Sequence, residues 1–250
     1  MDYNLILRNL AKNVDFSKYD AFSTEKRCHY ITYDNKEYAL MWQTVKADDM
    51  KDYLENLFEL QKRIMEAKRS GARLPAILAV YRDKNHVFQL QEKVNGKKLG
   101  YIELLDQKTT VDDFIELLIT FDVMSLTGLT IEPGRNCYVD DDGHINLFDC
   151  KVTKVDERHN ARPELFKRLV FPEPLEETNE EETAVLKRIL EKWVIACAQY
   201  FNSCLNPEDD KREVIYDEID LTIKNYSFIT MEEKRKLIND VLDRTLQKEK

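Results

Sequence analysis

Glycine is scarce in this chain. Six occur in 250 residues, at Gly71, Gly96, Gly100, Gly128, Gly134 and Gly143, where about 7 % is ordinary. None falls in the first 70 residues, and no proline precedes Pro75. Neither G-x-G-x-x-G nor G-x-x-x-x-G-K-[ST] occurs. A phosphate cradle built on closely spaced glycines is therefore excluded. No apolar run approaches the length of a membrane span. Met1 to Asn13 carries charges and lacks the apolar stretch of a signal peptide. The five cysteines form no C-x-x-C pair, and the four histidines are scattered, so no metal-ligand spacing appears. Five unpaired cysteines read as reduced thiols and a cytoplasmic setting.

Charge is present in quantity but leans acidic. Lys and Arg number 38 against 47 Asp and Glu, a formal net charge of −9. Phosphate binding wants a basic surface, so nucleic acid is not the expected partner, and neither is a membrane. Hydrophobic residues make up 43 %, enough to build a core.

The N-terminal part reads as a short helix over 1–13 and then as strands. Cys28–Tyr33 and Tyr38–Gln43 flank a turn at Asp34–Glu37, and aromatic and β-branched residues on both sides predict a hairpin. Met50, Tyr53, Leu54, Leu57, Phe58, Gln61 and Ile64 recur at helical spacing, with Asp48 as N-cap and Gly71 as the stop. Ala76–Tyr81 and His86–Gln91 predict a second hairpin. Beyond Gly96 the pattern is mainly helical. Val111–Leu126 is apolar nearly all round. Leu186, Ile189, Leu190, Trp193, Val194, Cys197 and Phe201 mark a stripe near 181–205. Further helices are expected near 208–224 and from the Thr230/Glu233 capping box onward. Pro172 and Pro174 mark an exposed acidic loop.

Between these helices, Asn136–Asp149 is the most specific segment. It reads as a strand, an acidic Asp-Gly turn, a second strand and an acid. The turn would bring Asn136 and Asp149 together, 13 residues apart in sequence. An amide oxygen beside a carboxylate suits Mg²⁺ on a nucleotide's phosphates. The alternative reading of both residues is plain turn chemistry.

This segment resembles the stretch from catalytic-loop Asn to metal-binding Asp in the protein kinase superfamily. The upstream order of hairpin, helix and hairpin is similar too. The resemblance covers roughly residues 20–150. It implies an α+β, two-lobed protein-kinase-like fold: a small β-rich N-lobe with one long helix over 1–95, and a mainly helical C-lobe over 96–250. It implies that Gln91, Glu92, Lys93 and Val94 form a hinge facing an adenine, that Met41 holds the place of the nucleotide-binding Lys, and that Asn136 and Asp149 bind the metal. Gly96, Gly128 and Gly143 fall where such a chain would place them.

The departures define the expected function. The glycine-rich loop is absent. Met41 replaces the strand cation, and Trp42 beside it either fills the former cleft or serves ordinary sheet packing. Ile131 stands at the catalytic Asp position, with Glu132 the only acid nearby and the one candidate substitute base. Glu55 or Glu59 would be the helix acid, left without its lysine, or simply part of a solvated helix face. Cradle, cation and base are the parts that position phosphates and orient the attacking hydroxyl, and losing a base alone costs about 10²–10⁴ in rate. The implied function is that of a pseudokinase acting through a protein partner, with ATP and Mg²⁺ at a degenerate site. Alternatives are an active atypical kinase or kinase-fold transferase, and a structural subunit that binds no nucleotide.

Overall fold

The computed structural model describes residues 2–14, 27–98, 102–131, 137–155, 179–206, 210–223, 226 and 228–246. The protein is α+β: a small antiparallel sheet and its helices at the N-terminal end, and mainly helices after residue 100.

Helix α1 (Tyr3–Lys12) starts where the Asp2 carboxylate accepts the backbone N–H groups of Asn4 and Leu5 at 3.0 and 3.1 Å. Strands β1 (Arg27–Tyr33) and β2 (Lys36–Thr44) follow. The expected hairpin is there, but its turn is two residues long instead of four. Asp34 and Asn35 both take positive φ, 51° and 58°, the type I′ geometry that matches strand twist, so β2 begins at Lys36. Helix α2 spans Met50–Arg69. Its N-cap is Asp49, whose side chain makes no capping bond, and not Asp48. It stops at Gly71 (φ +98°), where the N–H of Ala72 reaches back to the Ala67 carbonyl at 2.9 Å.

Strands β3 (Ile77–Asp83) and β4 (His86–Glu92) complete a sheet of order β1-β2-β4-β3. Met41 lies opposite Gln89 and Trp42 opposite Phe88. Side chains alternate across a strand. Tyr38, Leu40 and Trp42 therefore share one face, packed with Phe88, Leu90 and the Ile6, Leu7 and Ala11 of α1. Trp42 is thus a core residue under α1, in keeping with the sheet-packing reading and not with the cleft-filling one. Met41 belongs to that opposite face.

Strand β5 (Lys97–Lys98) crosses to β7 (Cys137–Val139), which pairs in turn with β8 (Ile145–Leu147). Helices α3 (Ile102–Gln107) and α4 (Val111–Leu126) lie between. Thr110 and Asp113 cap α4 reciprocally. Strands β6 (Leu129–Thr130) and β9 (Lys151–Val152) pair with each other. Helices α5 (Glu180–Cys204), α6 (Lys211–Ile223) and α7 (Met231–Leu246) close the chain. All seven stripe residues of α5 are buried. Trp193 meets the Phe114 ring edge-on at 5.8 Å and donates its indole N–H to Thr222 at 3.0 Å. Each large side chain buried here is worth about 1.5–3 kcal/mol. The expected cap of α7 is present: Glu233 accepts from the Thr230 N–H at 2.8 Å, and Thr230 Oγ1 accepts from the Glu233 N–H at 3.2 Å. One continuous core joins α2, α4 and the C-terminal helices.

Candidate functional site

Asp149 follows β8 and is half-buried, with φ +54°. Among the described residues, the other non-glycine residues at positive φ are Asp34, Asn35 and Lys84, all in hairpin turns. Asp149 has no such turn to account for its backbone. Strained non-glycine positions of this kind concentrate at functional sites.

The phenol of Tyr53, on α2, is pushed above its ordinary range, first by burial and further by the negative charge of Asp149. A Gln89–Tyr53 hydrogen bond opposes the shift. Gln89 is only 3 % exposed. Its amide donates to the Tyr53 hydroxyl at 3.3 Å, and Gln91 donates to the Gln89 carbonyl oxygen at 3.1 Å. Met41 stands across the strand pair from Gln89. A neutral polar chain thus runs from β4 to the neighbourhood of Asp149, on the same face as Met41.

The expected hinge residues are spread over other tasks. Glu92 accepts from the Lys68 ammonium at 2.6 Å and from the Ala76 N–H at 2.8 Å. Its own N–H donates to the Ala76 carbonyl at 3.0 Å. Lys93 pairs with Glu37 at 2.8 Å and lies over the Tyr30 ring. Glu92, Lys93 and Val94 line a cavity of about 640 Å³, and neither Met41 nor Asp149 lines it. Glu55 pairs with Lys51 and Glu59 with Arg63, each one turn along α2. Glu132 and Asn136 lie outside the described residues, so the expected Asn136–Asp149 pair has one described member. Among the described residues no group of three His, Cys, Asp or Glu side chains could hold a metal. Mg²⁺ needs only one or two carboxylates when phosphates and waters supply the rest. Asp149 fits that requirement, but the described residues form no all-protein cage.

Two arrangements escaped the sequence. Arg63 donates to the carbonyls of Gly128 and Thr153, tying α2 to the flanks of the β6–β9 pair. In sequence it is one more cation on a helix. The Tyr53–Gln89–Gln91 chain is likewise invisible, because its members lie on separate elements. The Asp140 turn is self-contained: its carboxylate accepts from the N–H groups of Asp142 and His144 and from the Asn146 amide. Cys150 is buried, at 5 % exposure. No helix among the described residues is long and apolar enough to cross a membrane.

No protein-family profile matches the chain, and no curated protein matches it. Among solved structures, the crystal structure of WbdD is similar at 16 % identity with a TM-score of 0.38. The match covers 76 % of this chain and 50 % of that one, so the chain spans about half the length of that structure.

Proposed function

We propose that the chain is a pseudokinase-like protein, two-lobed, that works by binding another protein and keeps a degenerate nucleotide site around Asp149. One observation carries this reading. The strand face that looks towards Tyr53 bears Met41 opposite Gln89, in a neutral chain with Gln91, beside a single strained carboxylate. Phosphoryl transfer needs fixed cations on the transferring phosphate and an oriented nucleophile. A thioether and two amides supply neither. Asp149 remains able to take a divalent ion together with a nucleotide's phosphates.

The reading places residues 1–95 and 96–250 as the two lobes, and assigns binding of the partner to the surface. Melting the full chain with and without ATP and Mg²⁺ tests it. A ligand at about 100 times its Kd stabilises by about 2.7 kcal/mol. The expected result is a small upward shift that Asp149→Ala abolishes. An unchanged melting temperature at saturating ATP removes the nucleotide site, and leaves the structural-subunit alternative.

A further inference from the structure

The cavity of about 640 Å³ lies away from Asp149 and is framed by the loop after α2, the end of β4, α4 and the β7–β8 turn. Asp149 does not line it, while Glu92, Lys93 and Val94 of the expected hinge do. Helix α4 presents Asp113 and Glu116 three residues apart, hence on one face. Each carboxylate pins one cation from a different segment. Glu116 accepts from Arg73 at 2.8 Å, and Asp113 meets Nδ1 of His144 at 2.6 Å. Arg73 and His144 therefore stand about one helical turn apart, both lining the cavity.

Several donors on the cavity wall keep spare hydrogen-bonding capacity. The Arg73 guanidinium has five N–H groups, and among the described residues one hydrogen bond, to Glu116, is formed. Lys68 gives two bonds, to Leu74 and Glu92, of the three an ammonium can make. With Nδ1 turned to Asp113, Nε2 of His144 is left over, and it is a donor when the ring is protonated. Of the acids on the wall, Asp140 takes three donors, Glu92 two and Glu116 one. Arg73 and His144 repel one another across the cavity wall, which works to lower the His144 pKa. An anion seated between them would relieve that repulsion.

We propose that this cavity is a binding site for a small oxyanionic ligand, a phosphoryl or carboxylate group held between the Arg73 guanidinium and the protonated His144 ring. Arg suits both groups because its planar fork matches two oxygens at once. The titrating ring faces Asp113 of α4, Asp140 of the β7–β8 turn and Arg73 of the loop after α2. The Asp113 hydrogen bond is the largest influence and raises its pKa, which keeps the ring protonated closer to neutral pH.

Sulfate is the first probe, because its charge is constant across the titration of histidine. The readout is the ring signal of His144 in NMR, assigned by its loss in His144→Gln, with calorimetry for affinity. The expected result is saturable sulfate binding in mild acid that weakens at least about tenfold as pH rises through the His144 titration. Arg73→Gln and His144→Gln should each weaken it about tenfold. Glu116→Gln should tighten it, because it removes a competing carboxylate, and this variant keeps the test decisive if Arg73→Gln fails to fold. Succinate is the second arm. Tighter succinate than sulfate assigns a carboxylate ligand, and the reverse assigns a phosphoryl one. Non-saturating shifts, or the same affinity in wild type and all three variants, overturn the proposal.

Discussion

The Arg63 guanidinium donates to the Gly128 carbonyl at 2.9 Å, and the same nitrogen donates to Thr153 at 2.8 Å. One side chain of α2 thus fixes one end of the antiparallel β6–β9 pair, where the chain enters β6 and leaves β9 on its way to and from the segment bearing Asp149. Gly128 sits at φ +65°, and an added Cβ would run into the Arg63 guanidinium and the Thr153 carbonyl.

Arg63→Ala should therefore cost about 1–3 kcal/mol in urea unfolding, the range for carbonyls left without their charged donor. Gly128→Ala should cost a similar amount from backbone strain and collision. The double variant should lose less than the sum, since the two residues share the contact. Additive losses would mean that the clamp does not couple them.

Tyr53 should titrate above the ordinary tyrosine range, because it is partly buried and lies near the charge of Asp149. Asp149→Asn removes one of the two raising influences and should lower the Tyr53 pKa, read by NMR of the labelled phenol carbon. Tyr53→Phe leaves the buried Gln89 amide short of a partner, and should cost about 1–3 kcal/mol. A Tyr53 pKa indifferent to Asp149→Asn would separate the two residues.

The His144–Asp113 pair makes stability depend on pH in two windows. His144 is raised, chiefly by the Asp113 hydrogen bond. Its contribution is full below the unfolded histidine pKa and is lost as pH rises through the folded value. Burial works to raise Asp113, yet hydrogen bonds from the Thr110 side chain and backbone, and from His144, bring it below the usual range. Its contribution is present above the unfolded aspartate pKa and is lost as pH falls through the lower folded value. His144→Gln should flatten the slope of stability on the alkaline side and leave most of the acid limb. Denaturant melts across pH check both limbs.

Much of this architecture could be read from the sequence, for identifiable reasons. The α5 stripe from Leu186 to Phe201 is long enough for its period to be unmistakable, and every member is buried. Both hairpins were legible from their strands, although Asp34 and Asn35 alone make the first turn. Helix α3, of six residues, is too short to show a stripe, and the two-residue strands β5, β6 and β9 have no period at all. Alternation along β2 separates Met41 from Trp42, but only α1, packed over Trp42 and Leu40, decides which face each occupies. Asp149 and Met41 stand out in the sequence as candidates. Their neighbours, Gln89 across the strand pair from Met41 and Tyr53 beside Asp149, come from other elements and carry no local signal.

Met41→Lys tests whether a missing cation is what keeps nucleotide binding weak. The substitution should enlarge the ATP-dependent rise in melting temperature over wild type in the presence of Mg²⁺, and Asp149→Ala should cancel the gain. A lysine that destabilises the fold without improving ATP binding would place Met41 outside any nucleotide site.

The proposed function is that of a pseudokinase-like protein without group-transfer chemistry. Its most direct test incubates the full chain and candidate protein substrates with Mg²⁺ or Mn²⁺ and ATP labelled on both the γ-phosphate and the adenine. The account predicts that neither label is transferred above the level of the Asp149→Ala variant. Transfer of either label by the wild type, lost in Asp149→Ala, would contradict it and identify an active kinase or nucleotidyl transferase instead.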